Sequence, residues 1–153
     1  MQGFETAGSS LLYSREFYEV AKEHLKPNGI LQAWFPMGDA VTFQAVLRSL
    51  LQSFPHVRCF QGVGRTGTHL LASMEPIERR KGAELVSDLP PKAKEDLCQW
   101  SSLTPAESLD QVLAEEFSAE KLLDTKSNVL ITDDQPYNEY FLLRRLGLLD
   151  PWR

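Results

Sequence analysis

Two adjacent carboxylates, Asp133-Asp134, follow the short apolar run Val129-Leu130-Ile131. Carboxyl ends of strands are where open α/β sheets bind ligands. Paired carboxylates there can hold a cationic amine, shift each other's proton affinity or bind a metal. The competing reading is structural: one Asp caps the turn at Gln135-Pro136 and the helix beyond it. Gln32 and Trp34 lie in a second apolar run, Ile30 to Phe35, and are candidates to line a pocket with the two aspartates, although a tryptophan in such a run is also an ordinary core residue.

Other chemistry-bearing residues lack the surroundings their chemistry needs. Gly62-Val63-Gly64-Arg65-Thr66-Gly67 has Gly-x-Gly-x-x-Gly spacing, but a phosphate loop must open a helix whose amides receive the anion. A strand-like segment follows instead, so these glycines are read as turn residues. His24, His56 and His69 have no metal-ligand spacing, and His24 falls on an apolar helix face. No Gly-x-Ser-x-Gly elbow occurs, and Cys59 and Cys98 form neither a Cys-x-x-Cys site nor a disulfide framework. No catalytic and no metal-binding residue is assigned.

The elements that would position these residues are legible from local signals. Ser14 caps a helix to about Leu25, with Phe17, Val20, Ala21, His24 and Leu25 on one face and Glu16 near its positive end. Lys26-Pro27-Asn28-Gly29 stops it. The continuous apolarity of Ile30 to Phe35 predicts a strand covered on both faces, as in parallel sheets. Asp39 is placed to cap a helix over Ala40 to Ser53, with Phe43, Val46, Leu47, Leu50, Leu51 and Phe54 as its stripe. Val57 to Gln61 and Thr68 to Met74 read as antiparallel neighbours across a short turn. Ile77 to Gln99 reads as a charged surface excursion with one short helix. Thr104-Pro105-Ala106-Glu107 is a capping box with Pro at the first helical position, opening a helix that buries Leu109, Val112, Leu113 and Phe117. Ser118 to Leu123 begins a further short helix, Val129 to Ile131 is a short buried strand, and Asn138 to Leu146 is helical.

Sixteen Lys and Arg against 21 Asp and Glu give a net charge of −5, which argues against a nucleic-acid footprint. A composition of 42% hydrophobic and 24% charged residues is that of a globular chain rather than a disordered one. No apolar run approaches the roughly 20 residues of a membrane span, and no secretory signal is visible at Met1-Gln2-Gly3-Phe4-Glu5. A reduced, cytoplasmic setting is the expectation. The 153 residues form one α/β domain in three stretches. Residues 1–75 are helix–strand–helix plus an antiparallel strand pair, 76–103 the irregular excursion, and 104–153 helices with one short strand.

Leu11-Leu12-Tyr13-Ser14-Arg15-Glu16-Phe17-Tyr18, then Leu25-Lys26-Pro27-Asn28-Gly29-Ile30-Leu31, resembles the later part of spermidine-synthase-like proteins. So does Ile131-Thr132-Asp133-Asp134-Gln135-Pro136-Tyr137-Asn138-Glu139-Tyr140-Phe141-Leu142-Leu143-Arg144-Arg145. The resemblance is strongest to the bacterial group, some of whose members are fused to transporter domains. It covers Ala7 to about Met74 and about Val129 to Arg145, in the expected order.

The resemblance implies a partial Rossmann-like sheet of the methyltransferase and aminopropyltransferase type, bearing only the late strands of a seven-stranded sheet. It also implies transfer of an aminopropyl group from decarboxylated S-adenosylmethionine to putrescine or a similar amine, with carboxylates and aromatics holding the polycation and an acid taking its proton. The family's nucleotide loop, ribose-binding acid and catalytic Asp motif precede the stretch that matches Ala7. Met1 to Thr6 offers only Glu5 and no Asp-x-x-Asp. The family's Tyr has no counterpart around Val63, and Gln135 stands where many relatives have Arg. The chain is therefore expected to be inactive alone and to need no cofactor by itself. A half-sheet leaves an edge and apolar faces uncovered. Self-association or pairing with a complementary N-terminal half is expected through the Ser14 and Ala40 helices and the Ile30 strand edge. The alternative is a non-catalytic binding or interaction module that retains weak polyamine binding at Gln32, Trp34, Asp133 and Asp134. An acid–base enzyme built on the two aspartates is the remaining reading.

Overall fold

The structure is a computed structural model that describes residues 9–36, 40–99, 102–124, 127–140, 143 and 146–147. It is a mixed α/β fold around a four-stranded, wholly antiparallel-paired open sheet. The elements run α1 (Arg15–His24), β1 (Leu31–Phe35), α2 (Ala40–Ser53), β2 (His56–Gln61), β3 (Thr68–Ser73), α3 (Gly82–Asp88), α4 (Pro91–Cys98), α5 (Pro105–Ala114) and β4 (Glu116–Phe117).

Strand order is β1-β3-β2-β4. β3 pairs antiparallel with both neighbours, Ala33 opposite Leu70 and Leu70 opposite Cys59. β1 and β2 therefore run parallel to each other, joined by the α2 crossover, with β3 inserted between them. The β2–β3 turn needs Gly67 at φ +84°, where a side chain would meet the Phe35 carbonyl and the Trp34 indole.

Local capping accounts for the helix ends. Ser14 Oγ accepts from the Phe17 N–H at 3.1 Å, and α1 stops at His24. The Thr104 capping box forms in both directions, Glu107 N–H to Thr104 Oγ1 and Thr104 N–H to Glu107 Oε2. The Asp39 cap expected for α2 lies outside the described residues.

One core fills the space between α1, α2 and the inner face of the sheet. Tyr18, Val46, Leu47, Leu50, Phe54, Cys59, Leu70 and Ile131 are at most 1% exposed. Fully burying each aliphatic or aromatic side chain of this kind is worth roughly 1.5–3 kcal/mol. The α2 stripe expected to be uncovered is thus closed against α1 and the sheet, whereas the expected face of α1 is only partly covered. α1 is rotated from its expected orientation: Tyr18 is central, whereas Val20 and His24 are exposed.

Several expectations are corrected by long-range packing. β1 is not a doubly covered parallel strand but an edge strand paired only to β3 among the described residues, with Gln32 and Trp34 exposed between inward Leu31, Ala33 and Phe35. Trp34, 47% exposed, is not a core residue. Val129 to Ile131 is no strand; it lies extended along α2, where Ser49 and Arg48 take up its backbone. The excursion after Pro76 carries two helices, α3 and α4, both packed on α5. Gly82 lets α3 approach so closely that any Cβ would run into the Ala106 carbonyl, and its N–H donates to Asp110 Oδ1 at 2.6 Å. Leu109, Val112, Leu113 and Phe117 are half-buried rather than buried. Ser118 to Leu123 yields a 3-10 turn over Glu120–Leu122, and Tyr137–Tyr140 forms another at the start of the expected last helix. Most of the remainder of that helix lies outside the described residues.

Candidate functional site

The acidic turn is carried to the N-terminal end of α1, near where β1 ends. Thr132 and Gln135 close it with reciprocal backbone bonds, leaving the Asp133 and Asp134 side chains exposed at its tip. Two bonds dock it on the helix: the Arg15 N–H donates to the Ile131 carbonyl at 2.9 Å, and the Asp133 N–H donates to Glu16 Oε2 at 3.1 Å. Behind it, the buried Ile131 N–H donates to Ser49 Oγ at 2.8 Å. The Ser49 hydroxyl has two carbonyl acceptors within reach, Ala45 at 3.0 Å and Ile131 at 3.2 Å. Arg48 anchors the approach by donating to the Val129 carbonyl at 2.8 Å and the Asp124 carbonyl at 3.0 Å.

This arrangement gathers three carboxylates, Glu16, Asp133 and Asp134, with Arg15 paired to Glu16 at 3.4 Å. Exposed carboxylates grouped on a fixed turn attract cations and polyamines by charge, an effect that salt screens.

Gln32 and Trp34 are not brought to the aspartates. They project from the outer face of β1, while α1 and the turn it carries lie on the inner side. Gln32 Nε2 sits 3.0 Å from His69 Nδ1, the amide donating to the unprotonated ring nitrogen. The Trp34 indole N–H donates to the Thr66 carbonyl at 3.3 Å. Trp34 reaches the other side only through its backbone, whose carbonyl accepts from the Tyr13 hydroxyl at 2.7 Å. Sequence reading noted Glu16 as a helix-end charge, weighed His69 only as a metal ligand, and gave Tyr13 and Ser49 no role. The position of Tyr13 just before the Ser14 cap was the one available signal.

Elsewhere, Glu116 accepts two bonds from Arg58, at 3.0 and 2.9 Å, and two from the exposed Arg79, at 2.7 and 3.1 Å. The hydrogen bonds from Arg58 chiefly hold the Glu116 carboxyl below the usual carboxylate range. Arg58 also donates to the Glu78 carbonyl and lies over the Phe60 ring at 5.0 Å. Burial, reinforced by Glu120 and Glu116, pushes the Cys59 thiol up to about 12, so it is no nucleophile. The glycine turn leads into β3 and lines a cavity of about 590 Å³ against α4 and α5; its only helical piece, the three-residue 3-10 turn Val63–Arg65, is too short to receive a phosphate. Among the described residues no group of three or more His, Cys, Asp and Glu is arranged to hold a metal ion, and no helix is long and apolar enough to cross a membrane. No protein-family model and no curated protein matches the chain.

Proposed function

We propose that the chain is the later portion of a spermidine-synthase-like aminopropyltransferase domain, silent in catalysis by itself and retaining an amine-attracting surface. The observation that carries the reading is the Asp133-Asp134 turn docked on the first turn of α1, which adds Glu16 to the pair. A polycation needs several carboxylates close together, and the docked turn brings Asp133 and Asp134 beside Glu16 of α1. The β1–α2–β2 crossover between parallel strands supports the Rossmann-like part of the reading, since that unit builds doubly wound sheets. Decarboxylated S-adenosylmethionine is the donor that such a domain uses. No segment of these 153 residues carries the glycine loop and Asp motif that would hold it, so a complementary nucleotide-binding segment is the proposed partner. Among the described residues no strand pairs with the outer edge of β1, which favours a second reading, an interaction module. The cytoplasm is the proposed setting, with Cys59 and Cys98 free.

Calorimetric titration with putrescine and spermidine tests the amine site. Weak, salt-sensitive binding that Asp133→Asn and Asp134→Asn each reduce at least threefold is expected, with no turnover on adding decarboxylated S-adenosylmethionine. Binding that survives both substitutions unchanged would remove the site. Turnover by the chain alone would overturn its silence.

A further inference from the structure

The three helices that follow β3 are joined closely to one another and loosely to the rest of the molecule. α3 meets α5 at the bare backbone of Gly82, whose N–H donates to Asp110 Oδ1 at 2.6 Å. Arg80 ties the entering chain to α3 by donating to the Glu84 carbonyl and to Asp88. α4 packs on α5, and the Cys98 thiol at its end donates to the Leu103 carbonyl at 3.2 Å. Yet Gly82 is the only buried residue of the three helices. No described residue between Ala72 and Phe117 belongs to the core formed by α1, α2 and the inner face of the sheet.

Few groups hold this unit to the sheet. The Gln61 N–H donates to the Glu115 carbonyl at 3.1 Å where α5 gives way to β4. Arg58 of β2 donates to the Glu78 carbonyl at 3.1 Å, and Arg79 grips Glu116 of β4 with two bonds, at 2.7 and 3.1 Å. Two cavities lie along the same seam. One, of about 560 Å³, separates Val57 and Arg58 from Leu113, and the other, of about 590 Å³, separates the Val63–Arg65 turn from Leu109 and Val112. Apolar side chains that border space forfeit the contacts that would hold the seam shut. Regions with few buried apolar contacts open at a lower free energy than the whole fold. We infer that α3, α4 and α5 swing off the sheet as one lid, hinged near Pro76 and at Glu115, while α1, α2 and the strands stay folded, and that the Arg79–Glu116 pair is its clasp.

Lid opening is independent of amine binding. Native-state amide exchange of the full chain across a denaturant series tests it. The slowest amides of α3, α4 and α5 are expected to open together, to exchange about tenfold or more faster than those of α2 and β3, and to depend less on denaturant because less surface is exposed. Val46→Ala removes core contacts that the open lid keeps, so core amides should exchange about tenfold faster and lid amides within about twofold of the wild type. Arg79→Glu sets a carboxylate against Glu116 and acts on a contact that only the closed lid makes, so lid amides should exchange about fivefold faster. A single protection shared by lid and core, or α3, α4 and α5 opening at separate energies, would overturn the lid. Equal acceleration of lid and core by Val46→Ala would overturn it too. Lid exchange unchanged by Arg79→Glu would overturn the clasp.

Discussion

Replacing Ser49 by Ala separates the extended segment from the helix it lies on. Ile131 is fully buried, and its N–H has Ser49 Oγ as its partner at 2.8 Å. Its carbonyl keeps the Arg15 N–H, so the substitution orphans one donor and not the acceptor. A buried polar group left unsatisfied costs about 1–3 kcal/mol. A central value of about 2 kcal/mol corresponds to a Tm lowered by roughly 4–8 °C for a domain of this size. Urea denaturation measures the total, and amide exchange locates it. If the segment detaches as a unit, the Ile131 amide should exchange about 30-fold faster while the buried turns of α2 keep their protection. Amine binding at Asp133 and Asp134 should weaken in parallel, because the turn loses its rear anchor. A stability change under about 0.5 kcal/mol, or equal loss of protection throughout α2, would refute the assignment of Ser49 as the local clasp.

Glu116→Gln should cost about 1.5–3 kcal/mol, the range for hydrogen bonds to a charged group, since Arg58 is only 13% exposed and would lose its ionic partner. The Glu116 carboxyl is depressed in the folded state, so its contribution is present above the unfolded value of about 4.3 and is lost as pH falls through the lower folded value. The wild type should therefore lose its advantage over Glu116→Gln in acid denaturation below about pH 4, and parallel curves there would count against the cluster. Tyr18→Phe removes a buried hydroxyl with no hydrogen-bond partner among the described residues, and thermal unfolding should show a neutral to stabilising change of up to about 1 kcal/mol; a loss beyond 1 kcal/mol would mean that the hydroxyl is satisfied in solution.

Sequence reading succeeded where the signal and the structure it specifies lie within a few residues of each other. Ser14 and Thr104 start their helices because cap and amide are three positions apart, and the glycines between β2 and β3 return the chain at once. The stripe of α2 was legible because its period is that of the helix itself. β1 was misread as doubly covered because the indole of Trp34 counts as apolar in a run, although Gln32 and Trp34 alternate with inward residues.

At the site, the sequence by itself determined that two carboxylates follow an apolar segment. Which residues join them was decided by tertiary structure. Ile131 meets Ser49 across 82 positions and Asp133 meets Glu16 across 117, contacts that depend on how α1, α2 and the last third of the chain pack. The same packing left Val129 to Ile131 outside the sheet, because Ser49 and Arg48 offered its backbone the partners that a neighbouring strand would otherwise supply. Local chemistry specifies caps, turns and periods. Only the folded chain decides which face of a strand is covered and which distant groups a backbone amide finds.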